Sequence, residues 1–117
     1  MKRFLVLYRT EGALGGISVS EMFANTLPEQ MAAGMAAWQA WHEKSGGAVV
    51  DLRAPLDHST TIKGGSESSG RSSITGYSIL QAESMDEAAA RMKEHPHFRA
   101  PGSSVEILES VSMPGMG

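Results

Sequence analysis

The sequence predicts an α+β fold, a single domain over residues 1–117 in which an antiparallel sheet carries two helices on one face. Three observations predict it. Runs rich in β-branched, aromatic and aliphatic residues recur at Arg3 to Arg9, Ala48 to Leu52, Ile74 to Ala82 and Val105 to Val111. Two helical stretches separate them in pairs, opened by Thr26-Leu27-Pro28-Glu29 and Ser84-Met85-Asp86-Glu87, each with the spacing of a capping box. A length of 117 residues with 41% hydrophobic content suits one core and leaves little room for a second.

Along Arg3 to Arg9, Phe4, Val6 and Tyr8 fall on one pleat face and Leu5 and Leu7 on the other, so this strand is expected to be covered on both sides. The preceding Met1-Lys2-Arg3 mimics the start of a signal peptide, but Arg9, Thr10 and Glu11 end the apolar run before it reaches signal length. Glu11 to Asn25 contains Gly12, Gly15 and Gly16 and reads as a long connection with a helical turn at Ser20 to Ala24. Connections of that length are often functional. In the first helix Met31, Met35, Trp38 and His42 form a stripe at i, i+4, i+7 and i+11 that is expected to face the core, and Gly46-Gly47 ends it.

Ala48 to Leu52 is the second strand, disturbed at its end by Pro55 and resumed at Thr60-Thr61-Ile62. Gly64 to Ser73, almost all Gly and Ser, has little to bury and is expected to be a mobile hairpin tip. Ile74 to Ala82 is apolar on both faces and reads as a central strand, with Gly76 leaving space for a close approach. The second helix buries Met85, Ala88, Ala89 and Met92 and stops near His95, before Pro96. Val105, Ile107 and Val111 alternate with Glu106 and Ser110 in the last strand, and Met113 to Gly117 is a tail.

The order βαββαβ with right-handed crossovers makes a ferredoxin-like antiparallel sheet with both helices on one face. The open face would then expose an apolar patch too large for a quiet monomer, and a second copy is the economical cover. The expected assembly is a homodimer, a dimeric α/β barrel with space for a small ligand between sheet, helix and loops. Ten Lys and Arg against thirteen Asp and Glu leave a net charge of −3, which argues against nucleic acid as a partner. The absence of Cys excludes disulfides and thiolate chemistry, and no apolar stretch approaches the roughly 20 residues of a membrane span, so the chain is expected in the cytoplasm.

The segment from Ile74-Thr75-Gly76-Tyr77 through Ser84-Met85-Asp86-Glu87-Ala88, then His95-Pro96 and Val105-Glu106-Ile107, resembles the C-terminal half of the YCII-related family. Gly46 to Val50, leading to Ala54-Pro55-Leu56, is similar to that family's strand after its first helix. The resemblance implies a dimeric α/β barrel with an acid–base pair made of a His in the first helix and an Asp after the second strand. Asp57 stands at the matching Asp position. The family's His position holds Met31, Gly34 and Met35, with His42 several residues later, and Ser72 to Gly76 replaces the Asp-Gly-Pro-Phe signature of a related subgroup.

Asp57 and His42 are therefore the candidate catalytic residues, Asp57 as base or orienter and His42 as its partner near neutral pH. Tyr8, Arg9, Arg53 and Tyr77 lie on or beside strands, where an Arg can hold a carboxylate and a Tyr can donate to a carbonyl oxygen. Trp38, with Met31 and Met35, offers an apolar wall for the same ligand. The bland readings are a His at a helix end, interfacial packing and surface ion pairs. His95-Pro96-His97 lacks a third ligand at a diagnostic spacing and reads as a solvated helix end, so no metal is expected there. The Gly/Ser loops carry no phosphate-binding fingerprint, and no cofactor is implied. The expected function is small-molecule binding in a barrel pocket, with cofactor-independent isomerase- or lyase-like proton transfer if the protein is an enzyme. The alternative is a non-catalytic protein-interaction or regulatory module.

Overall fold

The computed structural model describes residues 1–10, 19–70, 72–99, 102–112 and 114, with backbone alone at 19, 51–53 and 99. Its elements are β1 (Lys2–Thr10), α1 (Val19–Asn25), α2 (Pro28–Ser45), β2 (Val49–Pro55), β3 (Ser59–Lys63), β4 (Ser66–Gly70), β5 (Ile74–Ala82), α3 (Met85–Met92) and β6 (Ser103–Glu109). Short 3-10 turns occupy Gly46–Ala48 and Pro96–Arg99. The fold is mixed α+β: β2, β5, β1 and β6 form one sheet in that order, with each neighbouring pair antiparallel.

Alternation along β1 and β5 decides which face meets the helices. Phe4, Val6 and Tyr8 on β1, and Gly76, Ser78, Leu80 and Ala82 on β5, are buried, while the residues between them are half-buried or exposed. Trp41 from α2, Val49 from β2, and Ala88 and Met92 from α3 close the core over that face, with Trp38, Val105 and Ile107 packed at its margin. Each fully buried large apolar side chain contributes about 1.5–3 kcal/mol to holding these layers together.

α2 is most deeply buried in its C-terminal half, Met31 in its first turn being half-buried. Trp41 and Ser45 are buried and Trp38 is half-buried, whereas Met35 is 67% exposed. The expected Met31, Met35, Trp38, His42 stripe is thus corrected to one running through Trp38, Trp41 and Ser45. The two indoles bring more apolar area to the core than the methionines do, and the helix face turns to seat them.

The Thr26-Leu27-Pro28-Glu29 box does not form either. Leu27 is the N-cap of α2, without a side-chain bond, and the Thr26 hydroxyl donates to the Met22 carbonyl at 2.6 Å. With α1 ending immediately before it, Thr26 satisfies the last turn of that helix instead of the first turn of the next. Ser84 does cap α3: its hydroxyl accepts the Glu87 N–H at 3.2 Å, and the Glu87 carboxylate accepts the Glu83 N–H at 3.2 Å.

Gly64 to Ser73, expected to be a mobile hairpin tip, holds the hairpin turn at Gly64-Gly65 and then a strand, Ser66–Gly70, that pairs along its whole length with Ser59–Lys63. The turn explains it. Gly64 and Gly65 adopt φ of 57° and 86°, the left-handed pair of a type I′ turn, whose twist matches that of the strands it joins. Within the Glu11 to Asn25 connection the helical turn is α1, and residues 11–18 lie outside the described residues. The Met113 to Gly117 tail, Pro114 apart, also lies outside them, and Val111 sits beyond β6 and is 77% exposed.

Candidate functional site

At one end of the helix-covered face the chain gathers polar groups inside aromatic walls. Tyr8 reaches this point because it is the last of the three inward residues of β1, and Ser78 because it shares the inward face of β5 with Gly76 and Leu80. The Tyr8 hydroxyl lies 2.8 Å from Ser78 Oγ and 3.4 Å from His95 Nε2. Tyr8, Ser78 and His95 are 2%, 0% and 3% exposed. Trp38 and Trp41 meet the His95 ring edge-on at centroid distances of 4.0 and 4.4 Å, and Trp38 meets Tyr8 at 5.1 Å.

The backbone sets the proton positions. His97 N–H donates to His95 Nδ1 at 2.9 Å, so in the neutral ring the proton resides on Nε2 and points to the Tyr8 oxygen. The Tyr8 hydroxyl accepts from His95 and shares a second hydrogen bond with the Ser78 hydroxyl. His97 Nε2 lies 2.9 Å from the Arg9 carbonyl and 3.1 Å from the Ser104 carbonyl, both acceptors, so it carries a proton shared between β1 and β6. The arrangement is a hydrogen-bonded chain of imidazole, phenol and hydroxyl, with half-buried Trp38 and His97 at its rim. Phenol and imidazole are both competent general acids or bases, and the apolar walls strengthen each bond between them.

The expected site residues divide. Tyr8 and Trp38 come together here. Tyr77 is half-buried on the opposite face, since Leu7 pairs with Tyr77 while Tyr8 pairs with Gly76. Arg9 donates to the Ser73 hydroxyl and to Glu106, both at 2.9 Å, so its charge is engaged by a carboxylate of the same sheet. The Arg53 side chain lies outside the described residues.

Asp57 accepts hydrogen bonds from both the backbone N–H and the hydroxyl of Ser20, which ties the β2–β3 connection to the first turn of α1. His42 is half-buried on α2, and its Nδ1 has no hydrogen-bond partner among the described residues, so Asp57 does not engage it through that nitrogen. His58, next to Asp57, joins Ser59, Thr60, Ser69 and Gly70 around an open cleft of 370 Å³ at the base of the hairpin.

His95 and His97, read from the sequence as a solvated helix end, are the main correction. The burial of His95 has a legible cause: it follows Met92 by three residues and continues the Ala88, Met92 stripe beyond the last turn of α3, a stripe from which Met85, expected to be buried but 39% exposed in the first turn, departs. Pro96 stops the helix without turning the stripe away from the core. Ser78 had a comparable signal in its place between two inward-facing neighbours. Among the described residues no group of three His, Cys, Asp or Glu is placed to hold a metal ion, and no helix is long and apolar enough to cross a membrane. No protein-family model and no curated protein matches the chain.

Proposed function

We propose that the protein is a cytoplasmic homodimer of the YCII-related type that binds a small carbonyl compound and moves a proton beside the carbonyl without a cofactor. The observation that carries this reading is the Tyr8 hydroxyl, held between Ser78 and His95 in the aromatic enclosure. A core made for stability alone gains little from a buried polar chain, whereas an acid–base site needs one with defined proton positions. The strand order β2-β5-β1-β6 supports the ferredoxin-like part of the reading, and the row Leu108, Leu5, Ile79 across the open face supports the face-to-face dimer. A ligand enters at the rim formed by Trp38 and His97, its carbonyl oxygen takes the place of Ser78 at the Tyr8 hydroxyl and accepts its proton, and a water molecule takes the α-proton and returns one to the Tyr8 oxygen as the enol forms.

Exchange of the α-hydrogens of enolisable keto acids for deuterium, followed by proton NMR in D₂O, tests this. The expected result is exchange faster than in buffer, lost in Tyr8→Phe and kept in Asp57→Asn. Loss in Asp57→Asn with retention in Tyr8→Phe moves the chemistry to the carboxylate. No exchange with any keto acid overturns the enzymatic reading in favour of an interaction module, for which the exposed Leu27, at the N-cap of α2, and Met35 on α2 would supply the contact.

A further inference from the structure

The β3–β4 hairpin stands apart from the four-stranded sheet as a two-stranded ladder, and apart from half-buried Ser59 its ten paired residues are all exposed. A lone two-stranded hairpin is marginal in water, and three or more strands are needed for independent stability. The two strands differ in what they offer. β4 reads Ser-Glu-Ser-Ser-Gly, poor in strand formers, whereas β3 centres on Thr60, Thr61 and Ile62, all β-branched, with Ile62 71% exposed.

The hydrogen-bonding direction of β3 follows from its turn. A two-residue turn at Gly64-Gly65 is closed by a hydrogen-bonded Lys63–Ser66 pair, so by alternation Lys63, Thr61 and Ser59 turn their amides and carbonyls toward β4. Thr60 and Ile62 turn theirs outward. Two outward residues flanking one inward residue make an edge complementary to itself under a two-fold axis at Thr61. Antiparallel pairing about that axis sets Thr60 of one copy against Ile62 of the other in a hydrogen-bonded pair, and the reverse, with Ser59 opposite Lys63. Thr61 meets Thr61 in a non-hydrogen-bonded pair. No like charges face each other, since Lys63 is the one charged residue of β3 and lies opposite a serine.

We infer that β3 is an interface strand that pairs with β3 of a second copy, turning two marginal hairpins into a four-stranded antiparallel sheet in the order β4-β3-β3-β4. This rests on the homodimer reading and adds to it a second contact, made through backbone hydrogen bonds at a defined register. It also accounts for an exposed isoleucine on an otherwise polar arm: paired copies place each Ile62 beside a threonine on one face. Edge pairing of this kind is what exposed strand edges favour unless something blocks them, and β3 carries no proline and no bulge.

The chain has no cysteine, so single cysteines report the register directly. In the intended register the two copies of residue 61 sit about 4.5 Å apart between Cα atoms, within disulfide range. The two copies of residue 59 or of residue 63 are displaced by four residues along the strands, roughly 14 Å, which is beyond it. Full-length Thr61→Cys, Ser59→Cys and Lys63→Cys are each oxidised and run on a non-reducing gel, with light scattering of the unmodified chain alongside. The expected result is a near-complete shift to twice the chain mass for Thr61→Cys and none for the other two, with mixed Ser59→Cys and Lys63→Cys chains cross-linking to each other. A dimer by light scattering without the Thr61→Cys cross-link overturns the β3 interface and leaves the homodimer standing. A monomer without the cross-link overturns both. Equal cross-linking of all three variants marks random collision and overturns the register.

Discussion

On the helix-covered face of the sheet Phe4, Val6 and Leu80 keep no exposed surface, whereas on the opposite face Leu5 and Leu108 keep 38% and 40%. These side chains are of one chemical kind and alternate along the same strands. On the open face Leu5 stands between Ile79 and Leu108, and Leu7 between Tyr77 and Glu106, so an apolar row runs across three strands, and Leu5 and Leu108 within it are exposed among the described residues. The polar groups divide in the opposite sense. The buried hydroxyls of Tyr8 and Ser78 and the imidazole of His95 belong to the covered face, while the Arg9–Glu106 ion pair belongs to the open one. The covered face is a finished interior with one polar chain built into it, and the open face has the composition of an interface.

The largest expected effect comes from the covered face. Leu80→Ala leaves a cavity among fully packed neighbours and should cost about 2–5 kcal/mol in a urea unfolding curve at any protein concentration, whereas the cost of Leu5→Ala should be well under half as much in dilute protein and grow with concentration as the open face is covered. Comparable losses at the two positions in dilute protein would break the contrast. A smaller effect tests the polar chain: Tyr8→Phe keeps the ring and removes both hydrogen bonds, for a loss of about 1–3 kcal/mol by the same measurement. An unchanged curve would mean that the hydroxyl is held by nothing of consequence.

The smallest effect lies outside both faces. Lys44 donates to the Glu94 carboxylate at 2.8 Å, and this hydrogen bond, with the lysine charge, holds the Glu94 carboxyl below its ordinary range. A carboxyl lowered in the folded state stabilises above the ordinary glutamate range, and that contribution is lost as the pH falls through the folded value. The pair is fully solvent-facing, so Lys44→Ala should return the Glu94 titration, followed by carboxyl NMR, to the ordinary range while hardly moving the melting temperature. A melting temperature that drops as far as that of Tyr8→Phe would contradict the ranking.

Strands and helices were legible where periodicity was strong. The pleat of β1, the burial of Ala88 and Met92 on α3 and the Ser84 cap all follow from local spacing, because each is settled by residues within one or two turns of one another. The same box at Thr26 failed for a reason local spacing does not carry: the hydroxyl had a second suitor in the preceding helix. Trp41 outranked Met35 because burial is decided by which part of α2 overlies the sheet, a tertiary matter.

At the site, Tyr8 and Trp38 were legible as inward aromatic residues. His95 was not, because a histidine beside a proline looks like a solvated helix end, and its burial depends on α2 bringing two indoles against it. Asp57 stood out by resemblance and turned out to be bonded to Ser20, a partner supplied by a distant segment of chain.

Light scattering of the unmodified chain and of Leu5→Glu at micromolar concentration tests most directly whether the open face is an interface. Leu5 lies at the centre of the apolar row and makes no part of the buried core, so its replacement leaves the monomer fold in place. The expected result is a dimer for the unmodified chain and a folded monomer for Leu5→Glu, with native near-UV circular dichroism in both, since the contact through β3, a strand of 5 residues, does not hold two copies at this concentration without the open face. A monomeric unmodified chain, or a Leu5→Glu variant that still runs as a dimer, would contradict the assignment of this face.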